Sequence, residues 1–174
     1  FLNPINNLNF NLFKNGQPYK MSKRAGDFIS VKEFLNEVDK DSVRFMMLNR
    51  SNDVEIDFDF DKVLEKTREN PVFYVQYSYA RISSLFRILN IDANKTFLIN
   101  ENNFELNSHE LNLFRKILDW PKVVETVSVK FEPHRIPFYL YELATLFHSY
   151  WSKGNEDPNY KFIIDGKIKN SNTL

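Results

Sequence analysis

Pro71-Val72-Phe73-Tyr74-Val75-Gln76-Tyr77-Ser78-Tyr79-Ala80-Arg81-Ile82, continuing through Phe86 to Leu89, carries the longest apolar period in the chain. Val72, Val75, Tyr79, Ile82, Phe86 and Leu89 recur at steps of three and four. That spacing lays one stripe along a helix, where a strand would alternate its sides. Pro71 lacks a backbone donor, so a joint is expected at Asn70-Pro71. Downstream, Asn90 to Asn107 is rich in Asn and reads as a loop. Ser108 is then expected to cap a helix with Leu111, Phe114, Leu118 and Ile117 inward, and Pro121 to kink or restart it. Pro133 suits a first helical turn, and the last strong helix carries Ile136, Leu140, Leu143, Ala144, Phe147 and Trp151. Several antiparallel helices with short joints make a bundle, so the fold class is mainly α.

Upstream the pattern changes. Leu8 to Phe13 alternates apolar and polar residues, a strand, and Lys14-Asn15-Gly16-Gln17-Pro18 is turn chemistry. Tyr19 onward is expected to return as a short second strand. Ser30 and Glu33 have the spacing of a capping box, opening a short helix with Phe34, Leu35 and Val38. Asp41 is the expected N-cap of the next helix, on which Val43, Met46, Met47 and Arg50 recur. Val54 to Asp61 alternates strictly, so it reads as an extended segment whose last acids cap a helix near Lys62.

The chain has 174 residues, 43% of them hydrophobic, enough for a core. Lys plus Arg and Asp plus Glu balance at 23 each, so there is no overall basic excess of the kind many nucleic-acid binders show. A local basic stripe is compatible with that balance. The absence of cysteine excludes disulfides, thiolate zinc sites and cysteine nucleophiles, and fits a reducing cytosol. No apolar run approaches the ~20 residues that span a bilayer. His109, His134 and His148 lack zinc-ligand spacing, so no metal site is expected and these histidines read as structural or RNA-facing. The first residue is Phe1 and the last residues close no recognisable element, so both ends read as cut.

Lys20-Met21-Ser22-Lys23 stands between the hairpin and the capped helix, with Gly26 just after it. A loop of this kind can bring an ammonium onto a polyphosphate as its charge shifts. Lys23 suits that task best, Ser22 and backbone N–H groups add hydrogen bonds, and Met21 anchors the loop by packing. Basic loops are usually solvated surface, and context decides here. Lys20-Met21-Ser22-Lys23-Arg24-Ala25-Gly26-Asp27-Phe28 resembles the second signature of class I aminoacyl-tRNA synthetases. Ser42 to Ser51 and Ile56-Asp57-Phe58-Asp59 follow in that family's order. Glu69-Asn70-Pro71-Val72-Phe73-Tyr74 through Ile82, and Glu132-Pro133-His134-Arg135 leading into Tyr139-Leu140-Tyr141-Glu142-Leu143-Ala144 and Phe147-His148-Ser149, resemble arginyl-tRNA synthetases in particular. The resemblance covers residues 8 to 151, and four blocks in order are far more specific than one motif.

The resemblance implies an arginine–tRNA ligase, which forms arginyl-adenylate from ATP with Mg²⁺ and transfers arginine to tRNA(Arg). It implies Lys20, Met21, Ser22 and Lys23 at the ATP phosphates, with Lys23 the main catalytic residue and Lys20 secondary. Many arginyl enzymes carry a degraded version of this signature; this sequence keeps the full one. The other class I signature, containing His and Gly, is absent from this chain, so the piece alone is expected to be inactive. A cytoplasmic full-length enzyme, monomeric and free of membranes, is expected. The implied division is a catalytic-domain remnant over residues 1–29, a connecting region over 30–61, and a helical anticodon-binding domain over 62–174, truncated at its end.

For tRNA, Tyr74, Tyr77, Arg81, Arg135, Tyr150 and Trp151 are the candidate contacts, with Tyr150 and Trp151 beside Lys153 the best placed to stack bases. The plainer alternative is that most of these rings pack the core and leave their hydroxyls wet. The acidic run Glu55 to Asp61 reads as the wet face of a strand plus a cap. Two other readings remain: a cysteinyl-tRNA synthetase, whose loop usually continues Ser-Leu-Gly-Asn, and a free-standing helical RNA-binding module. Arg24-Ala25-Gly26 and Asn70-Pro71-Val72-Phe73-Tyr74 favour arginine over cysteine.

Overall fold

A computed structural model describes residues 10–19, 30–51, 54–92, 94–95, 106–165 and 167–168. The mainly α class holds, with seven α-helices among the described residues. Two compact units form: residues 1–74 with 123–139, and residues 75–122 with 140–174.

In the first unit, β1 (Phe10–Lys14) and β2 (Gln17–Pro18) pair antiparallel, with Lys14 opposite Gln17. The two residues between them, Asn15 and Gly16, both have positive φ, at 53° and 68°. Asn-Gly is the pair that adopts such a turn at least cost. The second strand therefore starts earlier than Tyr19, which only adds an N–H bond to the Leu12 carbonyl at 2.7 Å. The alternating stretch near residue 56 forms β3 (Ile56–Asp59), which runs parallel to β1 with Leu12 opposite Phe58. Helix α1 (Val31–Glu37) opens on the Ser30–Glu33 capping box. Helix α2 (Lys40–Leu48) is capped by Asp39, not Asp41, because Asp39 lies three residues before Ser42 and accepts from both Asp41 N and Ser42 N. Asp59 caps α3 (Phe60–Leu64).

Packing follows from these placements. Leu12, Phe34, Val38, Val43, Ile56, Phe58, Phe60 and Val63 form one buried cluster, with Met46 against it. Phe34, Phe58 and Phe60 make a triangle of rings with centroids 4.8, 5.1 and 5.5 Å apart. Tilted and edge-on arrangements of this kind are the favoured ones for aromatic pairs. Leu35 and Met47 face outward.

Helix α4 (Pro71–Ile88) starts at the expected joint. Asn70 is buried and uses its whole amide there. Its Oδ1 accepts from Val72 N at 3.1 Å, while its Nδ2 donates to the carbonyls of Val63 and Glu65, each at 2.7 Å. The N-cap thus also ties down the chain that leaves α3.

In the second unit the phase of α4 differs from the apolar stripe: Tyr79 is 74% exposed and Ile82 is also exposed, while Ser78 is buried. Helix α5 (Ser108–Leu118) is capped by Asn107 rather than Ser108, since Asn107 has Glu110 three residues on and the two close a capping box. Helix α6 (Trp120–Lys130) restarts around Pro121. Helix α7 (Arg135–Glu156) begins two residues after Pro133, which precedes its first turn. Tyr150 bonds Glu110 and Lys116 pairs with Glu142, so α5 and α7 run antiparallel. Leu111, Phe114, Ile117 and Leu118, expected inward, are each more than a third exposed. After α7 come a 3₁₀ turn (Pro158–Tyr160) and a two-stranded ribbon, β4 (Ile163–Ile164) with β5 (Lys167–Ile168).

Candidate nucleic-acid interface

Lys20, Met21, Ser22 and Lys23 lie outside the described residues. The residues that flank their segment are held by the first unit: Tyr19 by its bond to Leu12, and Ser30 by the capping box.

Three of the six candidate RNA contacts come together in the second unit. Tyr77 and Arg81 stand one turn apart on α4, and Trp151 comes from α7. The Arg81 guanidinium carbon lies over the Tyr77 ring at 4.2 Å and over the Trp151 ring at 4.8 Å. Such contacts stabilise a cation at the face of a π system. Arg81 Nη2 donates to the Tyr77 hydroxyl at 2.8 Å, and Nη1 lies 3.1 Å from His148 Nδ1. His148 Nε2 is 2.9 Å from Ser78 Oγ. The Tyr77 ring stacks on His148, with centroids 5.4 Å apart and planes 25° from parallel. Ser78 and His148 are both buried, while Tyr77 is 40% exposed. The group therefore has a wet aromatic edge, a half-buried cation and a polar floor.

Tyr150 is placed differently from the expected stacking platform. Its ring is 2% exposed and packs on Phe162 and, face to face, on His109. Its hydroxyl donates to Glu110 Oε1 at 2.7 Å and accepts from Asn107 Nδ2 at 3.1 Å. Burial, reinforced by the bond to Glu110, pushes that phenol well above its ordinary range. Tyr150 therefore joins α7 to the cap of α5, and the ring beside it, Trp151, is the half-buried one.

Tyr74 and Arg135 belong to the first unit. Arg68 lies over the Tyr74 ring at 5.9 Å. Arg135 Nε bonds Glu132 Oε2 at 2.5 Å, and that bond holds the Glu132 carboxyl below the usual carboxylate range. Ser78 is the residue sequence reasoning missed. The available signal was a hydroxyl three residues before Arg81, in step with Val72 and Val75.

The family model described as DALR anticodon binding domain matches residues 75–164. The chain is 53% identical over 156 residues to an arginine–tRNA ligase of Pelagibacter ubique, covering 90% of this chain and 27% of that relative. It is 47% identical to the arginine–tRNA ligase of Roseobacter denitrificans over 88% of the chain, and 51% identical to that of Ruegeria pomeroyi over 89%. The chain thus spans about a quarter of the length of these relatives, 27% in each case. A solved structure described as an arginyl-tRNA synthetase of Campylobacter jejuni superposes with a TM-score of 0.70 at 28% identity, covering 83% of this chain and 31% of that one. With the matched model spanning more than half of its residues, the chain belongs to the DALR anticodon-binding domain family.

Proposed function

We propose that this chain is the segment of an arginine–tRNA ligase that leads from the ATP-contacting signature loop into the anticodon-binding helices. The observation that carries the reading is the match to arginine–tRNA ligases over about nine-tenths of the chain, 90% against the Pelagibacter ubique relative. On this reading residues 1–29 are the remnant of the nucleotide-binding domain. Residues 30–61 connect, returning to that remnant through the β1–β3 pairing. Residues 62–174 hold the tRNA. Lys23 places its ammonium on the ATP phosphates, with Lys20 secondary, and Mg²⁺ enters with the nucleotide. An adenylyl transfer depends on positioning and charge stabilisation, which a lysine ammonium at the phosphates supplies. Tyr77, Arg81 and Trp151 meet the unpaired anticodon loop, where bases stack on rings and a guanidinium meets phosphate or a base edge. The full-length enzyme works as a cytoplasmic monomer.

The test is aminoacylation of tRNA by the full-length protein, wild type beside Lys23→Ala. The expected result is charging with arginine alone, and a variant that loses mainly kcat. Charging with cysteine would move the protein to the cysteinyl enzymes. RNA binding without charging would leave a binding module and remove Lys23 from the catalytic residues.

A further inference from the structure

We propose that Ser78 and His148 are positioning residues that set the Arg81 guanidinium for RNA before RNA arrives. The inference rests on the reading of Arg81 as a tRNA contact and goes beyond it, because neither residue need touch RNA.

The argument is one of donors and acceptors. A guanidinium only donates. Arg81 Nη1 faces His148 Nδ1 at 3.1 Å, so Nδ1 carries the lone pair. An imidazole that accepts at Nδ1 and is paired at its other nitrogen holds its proton on Nε2. Nε2 faces Ser78 Oγ at 2.9 Å, so the ring donates and the hydroxyl accepts. The guanidinium therefore fixes the tautomer, and Ser78, whose hydroxyl can donate or accept, takes the accepting role at Nε2. The buried proton there is satisfied, and Nδ1 stays the acceptor that holds Arg81. Both residues are buried, at 6% exposure each, where a mismatched donor pair has no water to relieve it. Tyr77 completes the fixture, stacking on the imidazole and accepting from Nη2.

A long side chain recruited from solvent loses rotamer freedom when it binds. Arg81 has lost that freedom in advance, and its remaining N–H groups keep a defined direction. Preorganisation of this kind strengthens binding without adding a contact. Its signature in an enzyme is a change in the apparent affinity for tRNA more than in turnover.

The experiment is steady-state aminoacylation by the full-length protein with tRNA as the varied substrate. It uses Arg81→Ala, Ser78→Ala, His148→Phe, His148→Asn and the double variant Arg81→Ala with His148→Phe. Thermal melts confirm that each variant is folded. The expected result is a KM for tRNA raised about fivefold by His148→Phe and by Ser78→Ala, the size of one lost hydrogen bond, with the larger share of the effect in KM. His148→Asn, whose amide oxygen replaces Nδ1 as acceptor, should recover most of it. In the Arg81→Ala background His148→Phe should add nothing. Equal losses in His148→Asn and His148→Phe, or effects that multiply in the double variant, would make His148 a packing residue and overturn the inference while Arg81 stands. A KM unmoved by Arg81→Ala would overturn both.

Discussion

Around Phe58 the first unit buries rings on rings, whereas around His148 and Tyr150 the second unit buries hydrogen-bonded polar groups among its rings. The two interiors obey different rules. An apolar cluster loses stability in proportion to the volume removed from it. A buried polar network loses it in proportion to the partners left unsatisfied, even where the shape is unchanged. The cluster around Phe58 should therefore respond to size and the surroundings of His148 and Tyr150 to single atoms.

The largest expected effect tests the first rule. Phe58 is fully buried and touches both other rings of its triangle. Phe58→Ala should cost about 3–5 kcal/mol in urea unfolding followed by circular dichroism. A loss below about 1 kcal/mol would show that the site collapses and that the ring triangle does not support the unit.

The second rule is tested by removing one oxygen. Tyr150→Phe keeps the ring against Phe162 but leaves Glu110 Oε1 and Asn107 Nδ2 without this partner. The expected loss is about 1.5 kcal/mol, read from the fluorescence of Trp120 and Trp151, both in the second unit. No loss would mean that the ring alone holds α7 to the α5 cap, and the contrast between the units would fail.

A smaller effect is expected at Gly154, where α7 meets the turn after it. A Cβ built there lies 2.9 Å from the Tyr160 carbonyl oxygen and 3.3 Å from the Lys161 Cα, all backbone that cannot swing aside. Gly154→Ala gains up to about 1 kcal/mol in helix propensity. Overpacking costs about 1–3 kcal/mol, so a net loss near 1 kcal/mol is expected in the same fluorescence transition. A stabilised variant would show that the approach is looser than drawn.

How much of this was legible in the sequence follows the same division. Local rules read well: Asn15-Gly16 as turn chemistry, Ser30 with Glu33 as a capping box, and Pro71 and Pro121 as helix joints. An acid at the end of the Val54–Asp61 run also reads as a cap, though the acid is Asp59 and its helix opens at Phe60, ahead of Lys62. Between neighbouring cap candidates the local pattern is ambiguous: Asp39 caps in place of Asp41, and Asn107 in place of Ser108. In both cases the partner three residues downstream decides. Long-range facts were not legible. The parallel β1–β3 pairing joins residues 46 apart, as Asn11 and Asp57 show, and nothing local announces it. The phase of α4 failed because Tyr79 and Ile82 are apolar by type yet exposed. The residue that takes the inward place is a serine whose partner, His148, lies 70 residues away. Of the site, Tyr77, Arg81 and Trp151 were legible only by residue type, as rings and a guanidinium, and not as a group that meets. The Lys20–Lys23 reading rests on family resemblance alone, because a basic stretch has no physical pattern of its own, and those residues lie outside the described ones.

The smallest effect belongs to a cap in the first unit, where a polar group sits at the surface and the second unit's rule should weaken. Asp39 accepts from the Ser42 hydroxyl, then from the backbone N–H of Ser42 and Asp41, and the hydroxyl bond is the chief cause of its lowered pKa. Because the folded-state value lies below the unfolded one, the unfolded chain binds more protons as the pH falls through the carboxylate range. The stabilisation is therefore present above the ordinary Asp value and is lost as the pH drops through the lowered one. Asparagine caps a helix about as well as aspartate, so Asp39→Asn keeps one oxygen for the backbone N–H groups of Asp41 and Ser42. It removes the charge, and it replaces Oδ2, the acceptor of the Ser42 hydroxyl, with an amide donor that the hydroxyl can turn to accept. The expected loss is a few tenths of a kcal/mol at neutral pH, discounted for solvent screening. That difference should close as the pH falls below the ordinary Asp range, measured as paired urea midpoints across a pH series. A difference that stays constant with pH would place the effect in hydrogen-bond geometry instead of charge. A loss as large as that of Tyr150→Phe would show that solvent exposure does not separate the two kinds of polar contact, and the contrast between the units would need another cause.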